Sequence, residues 1–191
     1  IQGRGGIRVP PANWLRDLID KANNAGTIVV FDEIYTGFGR TGVAFGSQLY
    51  DVEPDLLVAG KGLAGGYAAI AGVFGREDIA NAISESGFNV MFHTFGALPQ
   101  SCAAATAVLK ILREENLVQR AGVIGQETLE RLQGTFGQHP NVAEIRGAGM
   151  LIGIEIVRDR DSLERFDEGA RVTDRLTSAA MNAGVFFYPG G

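Results

Sequence analysis

A single cysteine, two histidines and six prolines are spread over 191 residues. Cys102 cannot close a disulfide within the chain, so a reducing cytoplasm is the expected compartment. His93 and His139 lie far apart with no cysteine cluster near either, which argues against a zinc site, and no metal is expected. No apolar run reaches the roughly 20 residues that a membrane-spanning helix needs. Acidic residues outnumber basic ones, and the net charge of −5 argues against nucleic acid or an anionic membrane as partner. Low-complexity tracts and internal repeats are absent too.

What the chain has in quantity is apolar side chain and glycine. It is 46% hydrophobic and 20% charged with 27 glycines, the composition of a globular protein with an extensive core and many tight turns. It opens on "IQGRGGIRVPP" without an initiator Met and stops on "FFYPGG" directly after an apolar run, and so reads as a piece of a longer chain.

"PPANWLRDLIDKANNAG" spaces Trp14, Leu15, Leu18, Ile19 and Ala22 as a helix does, with Pro10 and Pro11 at its start and Gly26 at its close. "TIVVFDE", "PDLLVAG" (Pro54 to Gly60) and "AAIAGVFG" (Ala68 to Gly75) predict short strands of the kind buried in a parallel sheet. Helices are predicted over "REDIANAIS", "LPQSCAAATAVLKILREEN" and "LVQRAGVIGQETLERLQGTFGQ". Beyond Pro140, "VAEIRGAGMLIGIEIV" reads as two strands hinged at glycines. A charged loop "RDRDSLERFDEG", the helix "ARVTDRLTSAAMNAG" and a strand "VFFYP" follow. Strands alternating with helices predict an α/β layer on a largely parallel sheet. The change of pattern near Leu117 predicts a second, smaller α+β unit.

Ligands of open parallel sheets bind beyond the carboxyl ends of the strands. Two ionisable residues, Asp32 and Lys61, fall there, each at the end of an apolar strand. Lys61 sits in "VAGKGLAGG", between Gly60 and Gly62, where a glycine-lined backbone can approach a ligand closely. A phosphate loop also places lysine after glycine, but here the position five before Gly60 is Asp55 and the residue after Lys61 is Gly62, so that pattern fails twice. Taken alone, Lys61 is as well read as a solvated lysine in a glycine-rich turn. Taken with Asp32, two readings stand. The pair is a structural ion pair, or it flanks a flat heteroaromatic cofactor, with the lysine as imine-forming nucleophile and the aspartate on the ring nitrogen.

At this point the sequence resembles a known family. "FDEIYTGFGRTG", "PDLLVAGKGLAGGY", "HTF" followed by "CAAATAVL", and "EIRGAGMLIGIEI" stand in the order found in class III pyridoxal-phosphate aminotransferases, the ω-aminotransferase group. The resemblance implies a fold-type-I transferase: a mostly parallel sheet in a large cofactor domain (residues 1–113) and a smaller C-terminal α+β domain (114–191). It implies pyridoxal 5′-phosphate as cofactor, with Lys61 as Schiff-base lysine and proton carrier and Asp32 as partner of the pyridine nitrogen. Ile34 would pack against the ring face. Thr94 would donate to the phosphate, in this family from the neighbouring subunit, which implies a homodimer or larger assembly with shared sites. Tyr35 stands where many members carry a Gln that bonds the cofactor's phenolic oxygen, so Tyr35 either donates from its hydroxyl or packs. "GALPQS" replaces the commoner "GGNPLA" beside Thr94. Glycines 147, 149 and 153 would mark the small domain.

Other residues draw plainer readings. Glu33 is expected to make a structural hydrogen bond or ion pair, Arg40 to brace its loop, and His93 to be a satisfied structural histidine, although it is the histidine nearer the site. Cys102 reads as a small buried hydrophobe. The expected reaction is ping-pong transfer of an amino group between an amine or amino acid and a keto acid or aldehyde. An aminomutase, racemase or decarboxylase on the same scaffold is the alternative, and a non-catalytic interaction module the other.

Overall fold

The computed structural model describes residues 1–87 and 94–189. The chain forms two compact units: Pro10–Ile124, and Ile1–Val9 together with Gly125–Gly191.

In the first unit, helix α1 (Ala12–Asn24) starts straight after Pro11 and ends before Gly26, whose φ of +65° turns the chain back. Of its apolar stripe Ile19 is buried, while Trp14 and Leu18 stand exposed. Strands β1 (Val30–Asp32) and β2 (Leu56–Ala59) pair in parallel, with Asp32 opposite Val58. The Asp55 carboxylate fixes where they begin: it accepts a hydrogen bond from the Val29 amide at 2.7 Å and an ion pair from Arg76. Arg76 then opens helix α2 (Glu77–Glu85), and Glu77 and Asp78 in its first turn oppose the positive end of the helix dipole.

Strand β3 (Gly72–Gly75) departs from the parallel expectation. It runs antiparallel to β2, with Leu56 opposite Gly75 and Ala59 opposite Gly72. The cause is the connection. A parallel return needs a crossover, usually a helix, whereas residues 60–71 hold only a single 3-10 turn, Lys61–Leu63. That turn is anchored on helix α3 (Pro99–Glu114), which begins with proline at its first position. Leu63 and Ala64 are buried against Ala105, with Phe38, Ala68 and Ile70 packed around them. The small side chains of "SCAAATA" let this turn come close to the α3 surface. Helix α4 (Leu117–Phe136) follows, and Val118 packs where a side chain at Gly39 would have to lie.

The second unit centres on an antiparallel hairpin of β4 (Val142–Ala148) and β5 (Leu151–Ile156), turned at Gly149 with φ +55°. Val142, Ile145, Leu151 and Val157 form its buried side. The α4 residue Gly125 lies so close to the Gly149 carbonyl that a Cβ would overlap it, and Gly153 admits the backbone of Gly6 in the same way. Arg146 donates to the Gly6 carbonyl at 3.0 Å and to Glu144 and Glu155, which ties Ile1–Val9 to the hairpin. Burial works against the Arg146 charge, but its bonds to the two carboxylates hold its pKa above the ordinary value.

Helix α5 (Val172–Asn182) ends at Gly184, φ +81°, and the Val185 amide donates back to the Ala180 carbonyl. The strand expected over "VFFYP" is not formed: residues 185–189 are irregular. Its apolar, aromatic composition suits a strand, but a strand needs a ladder partner, and none pairs with it among the described residues.

Candidate active site

β1 ends at Asp32 and β2 at Ala59, and because the two strands are parallel and in register, both chains leave the sheet at the same edge. Lys61 is two residues beyond that edge. Its φ of +39° is left-handed, a conformation that costs a side-chain-bearing residue about 1–2 kcal/mol. The surroundings impose it. The Leu63 amide closes the turn on the Gly60 carbonyl at 3.0 Å, Leu63 and Ala64 are locked into the core, and at Gly62 a Cβ would lie 3.0 Å from that of Phe38. The lysine is therefore an exposed side chain on a fixed backbone. Its Nζ lies 4.8 Å from the centroid of the Tyr35 ring.

Asp32 is oriented by a short-range bond: its Oδ1 accepts from the Ile34 amide at 3.0 Å. Among the described residues no ion pair within 4.0 Å joins Asp32 to Lys61. Of the two readings open for the pair, the structural ion pair is the one this geometry does not support. Ile34 is half-buried and Tyr35 exposed, both on the turn that leaves β1.

Glu33 supplies the rigidity. Its carboxylate is buried, 3% exposed, and accepts from the Gly46 amide at 2.8 Å, the Ser47 amide at 2.7 Å and the Thr36 hydroxyl. One side chain thus clamps both ends of the loop that carries Ile34, Tyr35 and the FGRTG run. Phe38 and Phe45 close the loop edge to face, their centroids 5.3 Å apart. Glu33→Ala would strand two buried amides, and hydrogen bonds to a charged group contribute about 1.5–3 kcal/mol each. The expected loss is about 3 kcal/mol of unfolding free energy, read from urea denaturation of the whole protein. A loss below about 1 kcal/mol would show that the loop holds without the clamp.

The remaining expected residues are dispersed. Thr94 is exposed in the turn before α3 and bonds to neither Asp32 nor Lys61. His93 lies outside the described residues. Arg40 is exposed and makes no side-chain bond among the described residues, so Glu33 rather than Arg40 braces the loop. Cys102 is half-buried on α3. The sequence reading missed two features. Asp55 registers only as a failed phosphate-loop position, although its carboxylate sets the start of both parallel strands, and its Arg76 partner is too distant in sequence to give a local signal. The other is the seat of the lysine on the Tyr35 ring, which depends on the path of the turn.

The family model described as Aminotransferase class-III matches residues 1–191. The acetylornithine aminotransferase of Methanothermobacter thermautotrophicus is 40% identical over 156 residues, 82% of this chain and 39% of that protein. The alanine/serine racemase of Pyrococcus horikoshii is 39% identical over 159 residues, 83% of this chain and 32% of its own length. An amine transaminase from an uncultivated Pseudomonas species, solved with pyridoxal phosphate bound, superposes with a TM-score of 0.95 at 35% identity over 100% of this chain and 44% of its own. The chain therefore has the fold-type-I architecture, and it spans between 32% and 44% of the length of these relatives.

Proposed function

Given that the chain belongs to the class-III aminotransferase family, we propose that the whole protein is a pyridoxal-phosphate-dependent transaminase that moves an amino group between an amine or amino acid and a keto acid or aldehyde. One observation carries this reading: an exposed lysine without a carboxylate partner among the described residues and an oriented aspartate leave the sheet at one edge. A primary amine on a rigid turn, free of an ion pair among the described residues, fits the carbonyl of such a cofactor, and a carboxylate held by a backbone amide fits its ring nitrogen.

When bound, pyridoxal phosphate supplies an electrophilic carbonyl and a protonated pyridine that draws electrons from the substrate's Cα–H bond. Lys61 would hold the group covalently and, standing free, carry a proton to and from the substrate carbon. Asp32 would keep the ring nitrogen protonated, its orientation set by the Ile34 amide. The Ile34 side chain would offer the ring an apolar face. Thr94, exposed on its own chain, would reach the phosphate of a second copy in a homodimer. Mixing Lys61→Ala with Thr94→Ala subunits then restores activity above the mean of the parents, because one of the two sites in each mixed dimer keeps both residues. Subunits that exchange without any gain would contradict sharing. We place the enzyme in the cytoplasm on the strength of the lone cysteine in these 191 residues, and no described helix is long and apolar enough to cross a membrane.

Racemisation is the second reading, favoured by the likeness to the alanine/serine racemase. Incubating single enantiomers of amines and amino acids with pyruvate or 2-oxoglutarate separates the two. A transaminase consumes donor and acceptor in equal amounts and is idle without acceptor, whereas a racemase inverts the donor with no acceptor present.

A further inference from the structure

We propose that Tyr35 is a positioning residue that acts through Lys61: the face of its ring is the resting place of the lysine ammonium whenever the lysine is not holding the cofactor. The inference deepens the transaminase reading and rests on it for the catalytic consequence, while the contact itself stands on geometry alone.

Lys61 Nζ lies 4.8 Å from the Tyr35 ring centroid, inside the distance at which a cation is drawn to the negative face of an aromatic ring. Both partners sit on clamped backbone. The Lys61 turn is fixed by Leu63 and Ala64 in the core, and the Tyr35 turn by the Glu33 carboxylate and the Asp32–Ile34 bond. The four-carbon stem between them is the flexible part. A lysine that must alternate between a bound and a free state risks swinging into solvent when free, at the loss of the proximity that makes it an effective acid and base. Tyr35 is 39% exposed, so its ring has an open face, and no carboxylate competes for the ammonium within 4.0 Å among the described residues. An ion pair would hold the amine more tightly and hinder its departure. An aromatic face holds it weakly enough to release.

The ring and not the hydroxyl is the working part, which separates this role from hydrogen bonding to the cofactor. Two measurements on the whole protein test it. In cofactor-free protein with lysine labelled with carbon-13 at Cε, the Lys61 signal, assigned by its loss in Lys61→Arg, is shifted upfield by the ring current. The shift persists in Tyr35→Phe and disappears in Tyr35→Leu. In the loaded enzyme Tyr35→Leu lowers kcat by about 3- to 10-fold, the range expected of a partly exposed cation–ring contact, with KM for the amine within twofold, and Tyr35→Phe stays within twofold of wild type throughout. Absence of the upfield shift in wild type overturns the contact. A Tyr35→Phe enzyme as slow as Tyr35→Leu, rescued by Tyr35→Gln, overturns the ring role in favour of the hydroxyl. An intact shift in a protein that never carries pyridoxal phosphate on Lys61 overturns the transaminase reading and the catalytic half of the proposal, with the contact confirmed.

Discussion

Full-length protein carrying Lys61→Ala is expected to transfer amino groups at least about three decades more slowly than wild type, or about 4 kcal/mol on the barrier. Two losses combine in that figure. The alanine cannot hold the cofactor, and it cannot move the proton, which alone is worth about two to four decades for a positioned acid or base. Lys61→Arg should be equally inactive. It keeps the charge, but a guanidinium neither gives up its proton at neutral pH nor forms the covalent link. Stability should move by no more than about 1 kcal/mol, the scale of the exposed contact with Tyr35, because Lys61 is exposed and its core anchors are Leu63 and Ala64. A folded Lys61→Ala protein retaining more than a tenth of wild-type turnover would place the chemistry elsewhere.

Asp32→Asn is expected to cost about two decades or more in turnover, near 3 kcal/mol, with the cofactor still bound. The substitution is close to isosteric. Its amide oxygen still accepts from the Ile34 amide, so the turn into Tyr35 survives. What disappears is the negative charge that keeps a ring nitrogen protonated, and with it the electron demand on the substrate carbon. Absorbance titration with pyridoxal phosphate and steady-state rates on the same preparation separate the two effects. Near-normal turnover with normal binding would reduce Asp32 to a turn residue.

Much of this arrangement is written in local sequence. The runs before Asp32 and Lys61 are short, β-branched or leucine-rich and closed by polar or glycine residues, so their strands and shared edge follow from the pattern. The helices follow from spacing and from Pro11, Gly26 and Pro99 at their ends. The direction of β3 does not follow from its own residues. "AAIAGVFG" suits a strand of either sense, and the missing crossover helix in residues 60–71 decides it. The irregular course of residues 185–189 likewise depends on a pairing partner that composition does not reveal. Glu33 is legible as a structural acid, but its bonds to Gly46 and Ser47 exist only because the FGRTG loop folds back over it. Tyr35 shows the same limit at the site itself. Its place under Lys61 comes from two turns meeting in space, neither of which encodes the other.

Trapping the cofactor tests the central claim most directly. Full-length protein saturated with pyridoxal phosphate is reduced with borohydride, digested, and its peptides are mapped by mass spectrometry. The reduced cofactor should appear on the peptide containing "VAGKGLAGG", at Lys61, and on no other. Label on Lys21, on Lys110 or on a lysine outside these residues, or no label at all, would contradict the assignment of this site.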